Sequence, residues 1–366
     1  MKLFMDIHVI QTVPPSCLNR DDTGSPKTAL YGGARRARVS SQCWKREMRQ
    51  MFKERFNESE LAIRTLRLVE AIASKIPGTD SLETARNILT SVTYKKDGKD
   101  KPVFELKTEK GKKDELKALF FISKEQLQNI AGIPKTLSKK EISDTVKSYL
   151  KEDNGLEIAL FGRMVATDPT LGCDASAQIA HAISTHRVEN EYDYFTAVDD
   201  CSNEDHAGAA MIGTIEFNSA TLYRYATVAV HELFGQLAND LVVLEKALAE
   251  FLRAFALSMP KGRQNPFAAH TLPYGVMVHL RTDRPLNLVD AFEKPIPIKP
   301  DEGFAIRSAE ALKNHVDKVK KAGFCKKPFS AYIAGEFSED LGEKLEMDSL
   351  IHQVAKDAVE KFTVTA

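Results

Sequence analysis

The segment 32–53 reads GGARRARVSSQCWKREMRQMFK, and its charge pattern constrains the rest of the chain. Gly32 and Gly33 lead into Arg35, Arg36 and Arg38. Ser40 and Ser41 then stand where a helix N-cap belongs. On a helix, Gln42, Lys45, Arg46, Arg49 and Lys53 fall within one narrow stripe. Trp44, Met48, Met51 and Phe52 fall on the opposite side, as a core-facing surface requires. Stacked like charges do not help a helix: the pairs Lys45/Arg49 and Arg49/Lys53 each cost about 0.2–0.5 kcal/mol. A polyanion along the stripe would remove that penalty, and a serine-capped helix start is itself a phosphate site. The alternative is a plain solvated face. Against it, the three arginines extend the patch, and the glycine pair lets backbone approach a ligand closely. From Lys27 to Arg55 there are nine basic residues and two acids, Glu47 and Glu54.

The chain as a whole is balanced, with 51 basic and 51 acidic residues, so attraction to nucleic acid through total charge is not expected. Binding must come from local patches, while Glu336–Asp348 forms an acidic region near the other end. At 366 residues and 43% hydrophobic, the chain can bury a real core, and its length suggests two or three lobes. The five cysteines are widely spaced without a CxxC, which supports neither a disulfide framework nor a zinc ribbon. The start MKLFMDIHVI lacks signal-peptide features, and no uncharged apolar run is long enough to span a bilayer. The expectation is a protein of the reducing cytoplasm, with no membrane partner.

Leu3–Gln11 alternates as a strand does, with Leu3, Met5, Ile7 and Val9 on one face. Thr12–Val39 reads as a long loop, and such loops are usually functional. A helix from about Ser41 to Phe56 follows, then a second over Glu58–Ile76. Tyr94–Lys117 reads as a lysine-rich exposed hairpin or loop, and Lys124–Leu150 as short helices. The middle third therefore looks like a helical insertion. Beyond it lie β-rich YDYFTAV, two alternating stretches over Ile212–Val230 split at Asn218-Ser219, a core helix from Leu237 to Phe255, and a strand at Tyr274–Leu280. Without the insertion the order is strand, helix, strands, helix, strand. That is the split order of ferredoxin-like domains and RNA-recognition folds, although the aromatic signature of the latter is absent.

Asp21 and Asp22 could hold magnesium for phosphodiester cleavage, or make caps and ion pairs. His181 and His186 are five apart and do not share a helix face, so a zinc pair is not supported. No P-loop or GxGxxG occurs, and no cofactor or metal is expected. Arg163 and Met164 form a further candidate contact: a soft thioether can wedge against a base or simply fill a core. Tyr194, Phe195 and Thr196 can stack on bases or pack internally. Lys261 and Arg263 flank Gly262 in a loop suited to phosphate.

Several blocks resemble the CasC backbone subunits of type I-E CRISPR Cascade. They are SCLNRDD (16–22), GGARRARVSSQ (32–42) with Lys45-Arg46, then GRM (162–164), AHAISTH (180–186), FTAVDD (195–200), YRYA (223–226) and AFEK (291–294). The resemblance implies an α+β hand: an RNA-recognition-type palm from 1–57 and 180–366, helical fingers over 58–179, and a β-hairpin thumb at about 188–213. It implies a non-catalytic subunit that binds crRNA, stacks head to tail with copies of itself, joins other Cascade subunits and presents the guide to target DNA. Asn19, Arg20, Ser40, Gln42, Lys45 and Arg49 would grip the guide backbone. Met164 would lie against bases, with Phe195 and Thr196 on the thumb. Lys139 and Lys140 would touch target duplex. Type III relatives cut RNA with a palm aspartate, which keeps Asp21 and Asp22 as an alternative.

Overall fold

Leu3, Met5, Ile7 and Val9 are all buried, and so are Asp6, His8 and Ile10 on the opposite face. A strand dry on both sides belongs inside a sheet. The computed structural model describes residues 2–107, 114–152, 154–197 and 211–364, and places this strand, β1 (Phe4–Ser16), inside a large sheet with neighbours on both sides. The chain divides into two units: one of Met1–Met51, Ile179–His231 and Leu248–Ala366, the other of Phe52–Gln178 and Glu232–Ala247.

The first unit holds the large sheet. Its further strands are β2 (Thr28–Tyr31), β3 (Ala34–Val39), β4 (Ala182–Ser184), β5 (Glu191–Ala197), β6 (Met211–Ala229), β7 (Gly275–Arg281), β8 (Ser330–Gly335) and β9 (Glu343–Lys344). They run in the order β9-β8-β7-β1-β6-β4-β3-β2, with β5 paired to β6 off that path. β1 is antiparallel to both β6 and β7. The break expected at Asn218-Ser219 is not a turn. β6 runs unbroken, and its register against β1 shifts between Val13 and Ser16. Pro14 and Pro15 lie there, and proline cannot donate to the ladder.

The stretch read as a loop, Thr12–Val39, contains the β2–β3 hairpin. Gly32 and Gly33 form its turn at φ +58 and +72, the left-handed pair that a two-residue hairpin needs. A Cβ on Gly32 would sit 1.7 Å from the Glu293 carbonyl oxygen. Gly32 therefore lets the chain approach itself. Arg36 is likewise internal: it is fully buried and donates to the carbonyls of Tyr31, Ser184, Phe292 and Glu293.

The polar face of β1 explains its burial by pairing. Asp6 accepts from Tyr225 Oη at 3.0 Å and Leu286 N–H at 2.9 Å, and Arg281 lies 4.0 Å away. His8 bonds Tyr223 at 2.8 Å, and its ring centroid is 5.7 Å from that of His279. Burial pushes Asp6 up to about 6, holds His279 down to about 4 and holds His8 well below its ordinary value. The signs oppose. Unfolded histidines take protons below about pH 6.5 and the folded ones resist, so their contribution is lost as pH falls towards 4. Asp6 is easier to protonate when folded, so its contribution grows as pH falls through 6. Two histidines outweigh one aspartate, and net stability drops in acid. Asp6→Asn removes the offset and is expected to steepen that drop by about 3 kcal/mol between pH 6.5 and 4. Urea midpoints at a series of pH values check this; parallel curves for the two proteins would refute it.

The second unit does not hold the single helix expected over Glu58–Ile76, whereas the short helices expected over Lys124–Leu150 are present. Glu58–Ile76 holds a 3-10 turn (Glu58–Glu60), a strand (Ala62–Thr65) and a short helix (Leu68–Ala73). Helices Lys124–Ala131 and Lys139–Lys151 each begin with a serine capping box, at Ser123 and Ser138. Leu68, Ile72, Leu89, Leu127, Val146 and Leu150 form its core. Thr93–Lys96 and Lys99–Pro102 pair as a hairpin whose turn residues Asp97 and Gly98 lie at φ +53 and +74. The lysine-rich segment is thus a hairpin in this part; residues 108–113 lie outside the described residues.

Candidate nucleic-acid interface

The basic helix α1 spans Ser41–Arg55, and no acid occupies its first turn. Ser40 caps it: its Oγ accepts the Cys43 N–H at 3.4 Å. Asn19 Oδ1 accepts the Ser40 N–H at 2.9 Å, and the Asn19 carbonyl accepts the Lys27 N–H at 2.8 Å. The loop before β2 is thereby strapped to the helix start. Trp44, Met48 and Phe52 are buried, as the stripe requires, while Gln42, Arg46 and Lys53 are exposed and Lys45 and Arg49 half-buried. Ser40 itself is buried with its hydroxyl turned to its own helix. What that position presents outward is the polar start of the helix.

Beside this helix lies a cleft of about 800 Å³. Its walls carry the bases Arg20, Arg46, Lys261 and Arg263 and the acids Asp21, Asp22 and Glu47, with Asn19 beside them. Residues far apart in sequence meet here because Gly262 allows a backbone contact. A Cβ at Gly262 would stand 2.2 Å from the Leu18 carbonyl oxygen. Arg263 follows at φ +47, a left-handed conformation that turns the loop. Burial pushes the Cys17 thiol beneath the cleft up, while Arg263 and Arg20 act in the opposite direction. Asp21 is occupied: its Oδ1 accepts from the Thr23 N–H at 3.0 Å, Thr23 Oγ1 at 2.7 Å and the Ser25 N–H at 3.0 Å. These bonds, the Thr23 hydroxyl first, hold its carboxyl below the ordinary range. It pins the loop as an Asx turn does. Among the described residues no group of three His, Cys, Asp or Glu side chains is placed to hold a metal ion.

Gly262→Ala is expected to push the 260–266 loop off Leu18 and weaken polyanion binding by about tenfold, a loss of about 1.4 kcal/mol. The thermal transition should move by only a few degrees, because the loop is outside the core. Titration with labelled single-stranded RNA checks this, and wild-type affinity would refute it.

The remaining candidates separate. Arg163 is corrected: it is 4% exposed and donates to the carbonyls of Leu171, Phe121 and Leu150 and to Gln126 and Asn154. Burial lowers it to about 10. It ties the second unit together and has no donor to spare. Its neighbour Met164 is 88% exposed, so the thioether is not core packing. Phe195 and Thr196 lie on β5, which forms a hairpin with β6. The Phe195 ring covers Gly213, where a Cβ would come within 2.4 Å of it; Thr196 is exposed beside Tyr192, Tyr194 and Ile212. Residues 198–210, which join the two strands and include part of the FTAVDD block, lie outside the described residues. Lys139 and Lys140 are exposed in the first turn of their helix, where the helix dipole favours an anion over a cation. Arg46 and Gly262 belong to the cleft too. The stripe periodicity reveals Arg46, whereas nothing in the sequence shows what Gly262 touches.

The fold and the cleft define an α+β chain with a loop-built basic groove suited to the backbone of a polyanion. The chain belongs to the CT1975-like protein family, whose model matches residues 5–357. A chain of a "CRISPR RNA-guided surveillance complex, pre-nicking" is 32% identical, with TM-score 0.85 over 97% of this chain and 100% of that one. A chain of a "CRISPR RNA-guided surveillance complex" is 28% identical, with TM-score 0.73 over 97% and 99%. No curated protein sequence matches significantly. Among the described residues, no helix is long and apolar enough to cross a membrane.

Proposed function

We propose that this chain is a non-catalytic, crRNA-binding backbone subunit of a CRISPR surveillance complex of the type I-E kind. The observation that carries this is the basic cleft, assembled from the 17–24 loop, the 260–264 loop and α1. The likeness to surveillance-complex chains along nearly the whole length supports it. Asn19, Arg20, Gln42, Lys45, Arg49, Lys261 and Arg263 then contact guide phosphates, with the capped helix start at Ser40 among them. The sheet unit acts as palm, the β5–β6 hairpin as a thumb bearing Phe195 and Thr196, and the smaller unit as fingers. Met164 rests against bases, and Lys139 and Lys140 reach target DNA. Copies stack along the spacer beside other subunits, in the cytoplasm.

The test is expression with a CRISPR array and partner subunits, followed by analysis of the co-purified RNA. One guide-sized class is expected; a mixture of all lengths would point to a general single-strand-binding protein. A type III-like nuclease using Asp21 and Asp22 predicts magnesium-dependent cuts at regular intervals in complementary RNA. The hydrogen bonds held by Asp21 Oδ1 favour a structural role for that residue in its loop.

A further inference from the structure

Arg38 and His181 meet on the surface of the sheet unit, and neither the stripe nor the cleft uses them. Arg38 Nη1 lies 3.0 Å from His181 Nδ1. A guanidinium can only donate, so the ring accepts at Nδ1 and carries its hydrogen on Nε2. Arg38 Nε is anchored on the Thr28 carbonyl at 3.2 Å. Backbone bonding fixes the pair's surroundings: β3 and β4 are neighbours, and the Arg38 N–H donates to the Lys27 carbonyl at 2.9 Å. Lys27 and Arg38 share a small groove with Asn19, the residue that straps the start of α1. The charged groups acting on His181 are Arg38 and Lys27, both cationic. Among the described residues no carboxylate pairs with Lys27 or Arg38. Three basic groups thus crowd one surface spot.

We propose that Lys27, Arg38 and His181 form a separate subsite for one backbone phosphate of the bound RNA, and that the phosphate takes the place of the Arg38–His181 hydrogen bond. This rests on the RNA-binding function proposed above. In the empty site, burial first and then the two cations hold His181 below its ordinary value, so near neutrality it is the uncharged acceptor for Arg38. A phosphate between them receives the freed Arg38 donor. It also stabilises the imidazolium, so His181 takes one proton from solvent as the phosphate enters. No bond is made or broken besides hydrogen bonds and that protonation. The subsite adjoins the helix start and makes RNA retention depend on pH.

The experiment measures the affinity of the purified full chain for a fluorescent oligouridine RNA between about pH 5.5 and 8, the range in which histidines titrate. Wild-type affinity is expected to rise as pH falls, by up to about tenfold per unit for one linked proton. His181→Gln should flatten that slope, and His181→Lys should keep tight binding at the alkaline end. Lys27→Gln should reduce the slope of log affinity against log salt by about 0.7. Circular dichroism across the same pH range confirms that each variant is folded; His181 is exposed, so each should be. Equal pH slopes for wild type and His181→Gln would overturn the subsite. If that happens while Lys45→Glu with Arg49→Glu still loses RNA, only the subsite fails. If the double variant binds like wild type, the RNA-binding function itself fails.

Discussion

Arg224→Ala is expected to lower the stability of the sheet unit by about 3–5 kcal/mol. The side chain is fully buried on β6. Its guanidinium lies 3.7 Å from the centroid of the Trp44 ring on α1, and it donates to Gln11 Oε1 on β1 at 2.6 Å. It also donates to the carbonyls of Phe255 and Ala256. Those carbonyls belong to the last turn of the helix α2 (Leu241–Leu257), where an α-helix leaves its acceptors unpaired and its dipole favours a cation. One charge therefore joins two strands and two helices. Burial lowers Arg224 to about 9. Alanine leaves Gln11 and two helix carbonyls without a donor, and a cavity beneath Trp44. Arg224→Lys should recover less than half of the loss, since one ammonium cannot stack flat on an indole and span three acceptors. Denaturant unfolding followed by the fluorescence of Trp44, the chain's single tryptophan, reads the change directly. A drop under about 1 kcal/mol for Arg224→Ala would show that the stack carries little.

That buried arginine also shows where sequence reading stops. The helix Ser41–Arg55 was legible because its charges and its apolar residues repeat at the helical period, and Trp44, Met48 and Phe52 are buried as that period requires. β1 was legible from alternation and β-forming residues, but not its length, because Pro14 and Pro15 look like an end and instead sit at a register shift. The β2–β3 hairpin was hidden because Arg36 reads as a surface residue. Its four carbonyl partners come from Tyr31, Ser184, Phe292 and Glu293, three of them about 150 residues or more away in the chain. Arg163 departs from its expected surroundings for the same reason. Whether an arginine faces water depends on acceptors that only the folded chain supplies. In the cleft, the arginines and lysines could be read one by one, but their convergence depends on Gly262 lying against Leu18, a contact with no local signature.

The second large effect concerns the stripe. Lys45→Glu combined with Arg49→Glu is expected to cost at least about a hundredfold in RNA affinity and to strip the guide from the purified complex, since each ion-paired phosphate is lost and then repelled. Both side chains are half-buried at the surface of α1, on the side away from Trp44, Met48 and Phe52, so the core that holds the helix is untouched. The exchange turns the 49/53 pair into one of opposite charge but keeps the 45/49 pair like-charged, now negative, so these terms of about 0.2–0.5 kcal/mol each change helix stability little. Binding and folding should therefore move separately, the first collapsing while the second stays within about 1 kcal/mol. The loss should be nearly equal for every guide sequence, because phosphate contacts carry no sequence information. The slope of log affinity against log salt should fall by about 1.4, two contacts at about 0.7 each for a single strand. Fluorescence titrations at several salt concentrations give both numbers. An unchanged slope would mean that Lys45 and Arg49 serve the surface of the folded chain and not its RNA.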